Sequence, residues 1–437
     1  MLSILDRIKG AKLDKLSIFI LAVALGVRIV AYAARVYNVP FIPYVGFGLW
    51  GDSSAYVIDL HYIAQGYIPY RDFPYNYGPL YLYSMLPFYL ISPSISYVPT
   101  LIADAFTALL LYLIVRNTAG TRLAAAAGLT YAISPFVIGN EGYLWMSEQP
   151  MVLFMMLAVY FAVKKTPFAS LCSLAVAVMF KQEAIFMIVP LILFNIHTDW
   201  LKSVKGIIVG MGLYAAMIAP FLVVALPATI YSITYGRWVN LGKIPVYYII
   251  GSHSVLTTVP NVCTYVAYEF TGAFTGSVCG IITNTSSFIV SATLESKAIE
   301  LTVLVTPWLL LIASVTLLAV RKSPVLLQLS SVFAMLMMLY VFSRLVHGVF
   351  AYYFLPVYAL LLAASTNKTT SAISILAAVL VSFAPEGSLQ LFIPIIAVFA
   401  MTIAESTRLE KVRTSGPLSS LEQEQQALEP QGPQRQN

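Results

Sequence analysis

Apolar residues come in long runs along this chain, separated by short polar or charged breaks. Runs bounded by charge or by Pro and Gly lie at 16–38, 96–116, 123–139, 150–164, 167–180, 184–198, 206–229, 299–320, 324–342, 349–365, 371–384 and 389–404. Each is read as a helical span, since a hydrocarbon core of about 30 Å is crossed by about 20 apolar residues in a helix. Several runs are short for that thickness, and 167–180 and 184–198 flank "KQE" as a broken or steeply dipping pair. Two longer segments separate the runs, 39–95 and 230–298, and the interior of the second is apolar enough to hold a further helix pair. From Glu405 the chain turns rich in Gln, Glu, Ser and Pro and reads as a polar, disordered tail. The pattern predicts an all-α integral membrane protein, a multi-pass helical bundle of about 12 spans. Residues 1–404 would form the membrane domain and 405–437 the tail.

Composition fixes the solvent. Of 437 residues 59% are hydrophobic and 10% charged, with mean hydropathy +0.83, against about 25% charged in soluble domains. Such a chain cannot cover its surface with polar groups in water. No short small-residue cleavage pattern follows the first run, so it is read as a retained span. The net charge of +6 is not read as a nucleic-acid footprint, because its placement has another explanation. Arg7, Lys9, Lys12, Lys15, Arg116, Arg122, Lys164, Lys165, Lys202, Lys205, Arg321, Lys322, Lys368, Arg408, Lys411, Arg413 and Arg435 all fall on one side of an alternating topology. The positive-inside rule makes that side, and both termini, cytoplasmic. Reading "GPLYLYSMLPFYLISPSIS" (78–96) as a further span would put Arg116, Arg122, Lys164 and Lys165 outside. It is therefore read as a helix at the outer interface, which its tyrosines suit. Cys263 and Cys279 share the second long outer segment, as a disulfide or as two small packed residues.

The polar residues that could carry chemistry gather in the first outer segment. Asp52 lies in "WGDSSAY" before "AYVIDLHYIAQ", where Tyr56, Leu60 and Ile63 recur at the spacing of an amphipathic surface helix. Asp52 or Ser53 would cap that helix; a carboxylate at the membrane rim between Trp50 and Tyr56 is also placed to take a proton from a hydroxyl. Arg71 and Asp72 in "GYIPYRDFPYNYGPLYLY" would pair as rim charges, or Arg71 would hold a phosphate at headgroup depth. Asp104, inside the run 96–116, must face protein or a cavity, and a structural hydrogen-bonding role is favoured over catalysis. Lys181 and Glu183 would pair at the helix break. His61, His197 and His253 lack metal-ligand spacing, and the sequence carries no zinc motif.

The order of these features resembles the GT-C superfamily of membrane glycosyltransferases, which use polyprenyl-phosphate sugars as donors. It runs from a basic cytoplasmic N-terminus through one span to an early acid in the first outer loop, then "AYVIDLHYIAQGYIPYRDF" and "NYGPLYLY". The resemblance implies mannosyl-, arabinosyl- or aminoarabinose-transferase-like chemistry on a GT-C-like bundle with a helical first extracytoplasmic loop. Asp52 matches the first-loop acid. In "SPFVIGNEGYLWMSEQPMVLF" Glu148 matches the second-loop acid, with Glu141 as the alternative. Lys181 in "VMFKQEA" and Arg344 and His347 in "SRLVHGVFAYYFLPVYALLL" match the basic positions expected, with Arg71, at the donor phosphate, although His347 also fits a packed, hydrogen-bonded histidine. Trp50, Tyr56, Tyr70, Tyr75 and Tyr353 would line the sugar cleft. Ser53 stands where many relatives have a second acid, and Tyr77-Gly78-Pro79-Leu80 where others have His-Pro-Pro-Leu. A divalent cation is thus left open as the cofactor.

The resemblance implies a cell-membrane enzyme acting on the extracytoplasmic side. It would move a sugar from a polyprenyl-phosphate donor to a lipid, glycan or protein acceptor, with membrane lipids around it and no nucleic-acid partner. The rival is a multi-pass transporter or lipid flippase. Transporters bind near the midplane, often between two similar halves; here the polar residues sit at the outer rim and no halves repeat.

Overall fold

Asp14 begins the first span. Its carboxylate accepts the Ser17 amide at 2.8 Å and caps α1, Lys15–Val36. The same carboxylate accepts Tyr112 Oη at 2.6 Å and pairs with Arg116 at 2.9 Å. The Tyr112 hydroxyl is the main reason its pKa is lowered to about 2.

The computed structural model describes residues 14–37, 39, 52–73, 75, 77–143, 145, 147–233, 309, 311–345, 354–382 and 393–414. Among them the regular structure is helical, with one isolated bridge between Pro69 and Phe73. The segment after α1, expected to lie outside, folds as α2 (Asp52–Ala64) and α3 (Leu80–Ile91). A 3-10 turn, Pro93–Ile95, leads into α4 (Val98–Ala119). Gly120, with φ 89°, reverses the chain into α5 (Thr121–Ile133), a backbone state that side-chain-bearing residues adopt at a cost. Next come α6 (Gln149–Val163) and α7 (Pro167–Phe180), joined by a tight Lys164–Thr166 turn. A 3-10 turn, Gln182–Met187, continues into α8 (Ile188–Ile196) and then α9 (Trp200–Ile233). The second half contributes α10 (Leu311–Arg321), α11 (Pro324–Leu345), α12 (Leu355–Ala363), α13 (Lys368–Ser382) and α14 (Ile393–Thr414).

The bundle is built around α4, which is buried along most of its length and packs on α1, α5, α6 and α12. α9 packs on α7 through Gly206 and Gly210, one turn apart. A Cβ at Gly206 would sit 3.1 Å from Phe168 Cα, and one at Gly210 would sit 3.0 Å from Ala175 Cβ. Small residues let two backbones approach where lipid gives no hydrophobic drive to associate. The outward side of α9 exposes Met211, Leu213 and Val223, as a lipid-facing surface does.

Four helical stretches among the described residues are long and apolar enough to cross a bilayer: Lys15–Val36, Pro93–Ala119, Thr121–Asn140 and Trp200–Ile230. Seven shorter apolar helices accompany them. The run expected at 123–139 is interrupted: Ser134 is extended and caps a single turn, Pro135–Val137, followed by a wide π turn, Ile138–Tyr143. Proline disfavours helix in the residue before it, which accounts for the break. The long α9 kinks at Ala225, between Pro220 and Pro227, where φ and ψ are −152° and 60°. α14 continues through Thr414 into the segment expected to be a disordered tail, with Glu405 buried and bonded to Arg408 at 2.9 Å.

One polar layer crosses this apolar core. Arg28 of α1 and Asp104 of α4 are both fully buried and pair at 2.5 Å. Tyr131 Oη donates to Asp104 at 2.9 Å and lies 3.2 Å from Gln149 Oε1. Arg28 also donates to the carbonyl oxygens of Ala132 and Tyr131. Asp104 thus has the structural role expected of it, with a partner the sequence reading did not name.

Candidate functional site

The start of α6 and the end of α7 come together beneath the segment that carries α2 and α3. Glu148 is the last residue before α6 and Lys181 the first after α7. Their side chains form an ion pair, each about 2% exposed. Tyr77 lies over the ammonium, its ring centroid 4.4 Å from Nζ. A cation held between a carboxylate and a ring face is a satisfied buried charge. Glu183 follows in the 3-10 turn and is also buried.

Glu148 is held in place by its own loop. Trp145 stacks between Tyr32 of α1 and Tyr97, with centroids at 5.3 and 4.9 Å, and the Arg35 guanidinium lies 5.3 Å from the indole. Trp145 adopts φ 58°, a conformation that costs a non-glycine residue about 1–3 kcal/mol and persists only where neighbours fix it. Ser147 Oγ donates to Tyr56 Oη at 2.7 Å, tying the loop to α2. Gln149, one residue on, belongs to the Arg28–Asp104 layer through Tyr131.

The tyrosines of the first outer segment pack on one another. Tyr56 meets Tyr77 and Tyr81, with centroids 6.0 and 5.1 Å away; Tyr75 meets Tyr70 and Tyr77 at 6.0 and 5.8 Å. Tyr70 also meets Phe221 of α9 at 5.3 Å, and its hydroxyl donates to the Tyr77 carbonyl at 2.5 Å. Like Trp145, Tyr70 has a positive φ, 68°. Tyr56, Tyr70 and Tyr75, expected to line a sugar cleft, are here buried in this aromatic layer. Burial pushes the Tyr70 and Tyr75 hydroxyls well above their ordinary range, helped at Tyr75 by neighbouring Tyr70, Asp59, Tyr77 and Glu183.

Gly78 is what lets the layer lie on α7. A Cβ there would overlap the Met179 carbonyl, a backbone group that cannot swing aside. Gly78→Ala is expected to cost about 1–3 kcal/mol, as overpacking does. Calorimetry in detergent would show the lower melting temperature, with faster amide exchange across residues 77–81; an unchanged melt would mean the contact does not hold the layer.

Asp59, half-buried on α2, has its pKa raised from 3.8 to about 7 by loss of hydration. Between pH 3.8 and 7 the unfolded carboxylate is ionised while the folded one stays protonated, so stability falls as pH rises through that window and levels off above it. Asp59→Asn should therefore raise the melting temperature at pH 8 and progressively less toward pH 4. Parallel melting curves at all pH values would contradict this.

The other expected site residues are placed as follows. Asp52 opens α2, one turn before Tyr56; its side chain lies outside the described residues, as does that of Glu141. Arg71 is exposed and makes a two-point pair with Asp72 at 2.8 and 2.7 Å, which keeps the Asp72 carboxyl below its usual range. Arg344 lies on α11 without a described side chain. Trp50, His347 and Tyr353, with Cys263 and Cys279, fall outside the described residues. Lys181 pairs with Glu148 in place of the expected Glu183. Among the described residues no group of three or more His, Cys, Asp and Glu side chains forms a candidate metal site.

Residues 92–224, under a third of the chain, match the family model described as dolichyl-phosphate-mannose-protein mannosyltransferase. The match supports a membrane glycosyltransferase of the GT-C type. No curated protein and no solved structure matches the chain. The matched part of the chain runs from the start of the Pro93–Ile95 turn into α9 and contains Asp104, Glu148, Lys181 and Glu183. Asp52, Arg71 and the tyrosine layer precede it. The partners that sequence reasoning missed, Arg28, Tyr77, Trp145, Ser147 and Gln149, are held by contacts 18 to 104 residues apart in sequence or by ring stacking.

Proposed function

We propose that this transferase moves a glycosyl group from a polyprenyl-phosphate sugar to an acceptor hydroxyl on the extracytoplasmic side. The observation that carries the reading is the Glu148–Lys181 pair, which lies inside the family-matched segment with Tyr77 over the ammonium. Asp52 takes the acceptor's hydroxyl proton as the oxygen attacks the anomeric carbon from the face opposite the phosphate. The carbon–oxygen bond to phosphate breaks, and the electron pair leaves with the polyprenyl phosphate. Lys181 stabilises that anion in a partly dehydrated site, joined by Arg71, Arg344 or His347. Glu148 is the second carboxylate, and Trp50 and Tyr353 line the sugar cleft, with the buried Tyr56, Tyr70 and Tyr75 packed as an aromatic layer behind it. The lipid tail lies between spans.

The test is transfer from radiolabelled polyprenyl-phosphate sugars to endogenous acceptors by the purified protein in proteoliposomes. Label in a glycosylated product supports the reading; donor movement across the bilayer without transfer would favour the transporter or flippase. The fully buried, mutually paired Arg28 and Asp104 fit a structural layer better than a midplane transport site.

A further inference from the structure

Lys181 is the buried cation of the proposed phosphate site, yet its ammonium is already engaged. Glu148, 33 residues away in sequence, bonds it from one side, Tyr77 covers it from another, and both charged side chains are almost fully enclosed. We propose that the Glu148 carboxylate holds the place of the donor's phosphate on Lys181, and that a prenyl phosphate binds by displacing it. This rests on the reading above of the protein as a prenyl-phosphate-sugar transferase.

Three features support an exchange. The first is charge. A sugar linked to a prenyl chain through phosphate is a diester with one negative charge, so it replaces a carboxylate one for one. The buried ammonium is never left alone, a state that would be strongly destabilising. The second is placement. Glu148 ends an irregular segment, and Lys181 is an extended residue between α7 and the 3-10 turn, with φ −147° and ψ 131°. Both charges sit at helix ends, where the Glu148 carbonyl accepts the Val152 amide and the Lys181 amide donates to the Ala177 carbonyl, so each side chain can swing while its backbone stays bonded. The third is the cover. Tyr77 and Gly78 belong to the first outer segment, and Gly78 rests on the α7 backbone with no side chain to interlock. Lifting that segment uncovers Lys181 from the side where the proposed reaction occurs. Once displaced from Lys181, the Glu148 carboxylate lies beside the bound donor.

The exchange makes a prediction opposite to that for a purely structural pair. If Glu148 competes with the donor, removing its charge tightens donor binding. Glu148→Gln keeps the shape and an oxygen to accept from Lys181 but removes the competing charge. Affinity is measured for farnesyl phosphate and for its methyl diester, with farnesol as the neutral control. Glu148→Gln should bind both anions at least about tenfold more tightly than the wild type, a gain of about 1.4 kcal/mol, with farnesol unchanged. Lys181→Met should lose the anion preference, and Glu183→Gln should show no tightening.

Wild-type binding of both anions with equal or weaker binding by Glu148→Gln would overturn the exchange and leave the transferase reading standing. If the wild type binds farnesol as well as the two anions, the transferase reading itself fails. Should Glu148→Gln not fold, Glu148→Asp keeps the charge but withdraws it by one methylene; intermediate tightening supports the exchange, and unchanged or weaker affinity refutes it.

Discussion

Replacing Asp52 with Asn should lower kcat by about 100- to 10,000-fold, the range contributed by a positioned general base, while leaving the fold intact. The choice of residue separates two roles. Asp52 opens α2, and an aspartate there could serve only as a cap. Asparagine caps a helix about as well as aspartate, but its amide cannot accept a proton from a sugar hydroxyl. A capping role alone therefore predicts an unchanged melting temperature and an unchanged rate. A catalytic role predicts the same melting temperature with the rate lost and the KM for the lipid donor little altered, because the acid acts on the acceptor. Asp52→Ala would remove both functions and confuse them. A kcat for Asp52→Asn within threefold of wild type would remove Asp52 from the reaction.

Arg28→Met or Asp104→Leu alone should destabilise the protein by about 3–5 kcal/mol, because each leaves a partner charge buried without its counterion. The pair is fully enclosed between α1 and α4, and water cannot reach either group. The Arg28→Met, Asp104→Leu double variant should lose less than either single, since apolar groups of similar volume suit this interior and no charge is stranded. A double-mutant cycle by reversible unfolding in mixed micelles supplies the coupling energy. Additive losses would mean that the two side chains contribute separately, through Tyr131 and the carbonyl groups Arg28 also reaches.

Much of the helical order is legible in the chain itself, because the signal is local. The run at 167–180 matches α7, Pro167–Phe180, and the break at "KQE" falls where α7 gives way to a 3-10 turn. The runs 150–164 and 371–384 lie within three residues of α6 and α13 at each end. What the chain does not announce is which charge meets which. Lys181 has Glu183 as its nearest acidic neighbour in sequence, but folding brings Glu148 to it instead, because α6 and α7 are antiparallel and the start of one meets the end of the other. Arg28 drew no attention inside a long apolar run. One signal could have exposed it: an arginine and an aspartate in successive spans, each about two turns from the outer end of its helix. The tyrosines were legible as a group, whereas their burial against one another depends on Gly78 and on Phe221 of α9, contacts that no periodicity encodes.

The Arg28–Asp104 pair also constrains how the chain is made. Its two halves are separated by 76 residues, so α1 emerges from the ribosome well before its counterion exists. At about 5–20 residues per second the wait is roughly 4–15 s. During that time the first helix carries an arginine whose exposure to hydrocarbon at the centre of a helix is disfavoured by about 2.5–3.5 kcal/mol on insertion scales. Pairing with Asp104 removes that cost, so the arrival of α4 fixes α1 in its final place in the bundle.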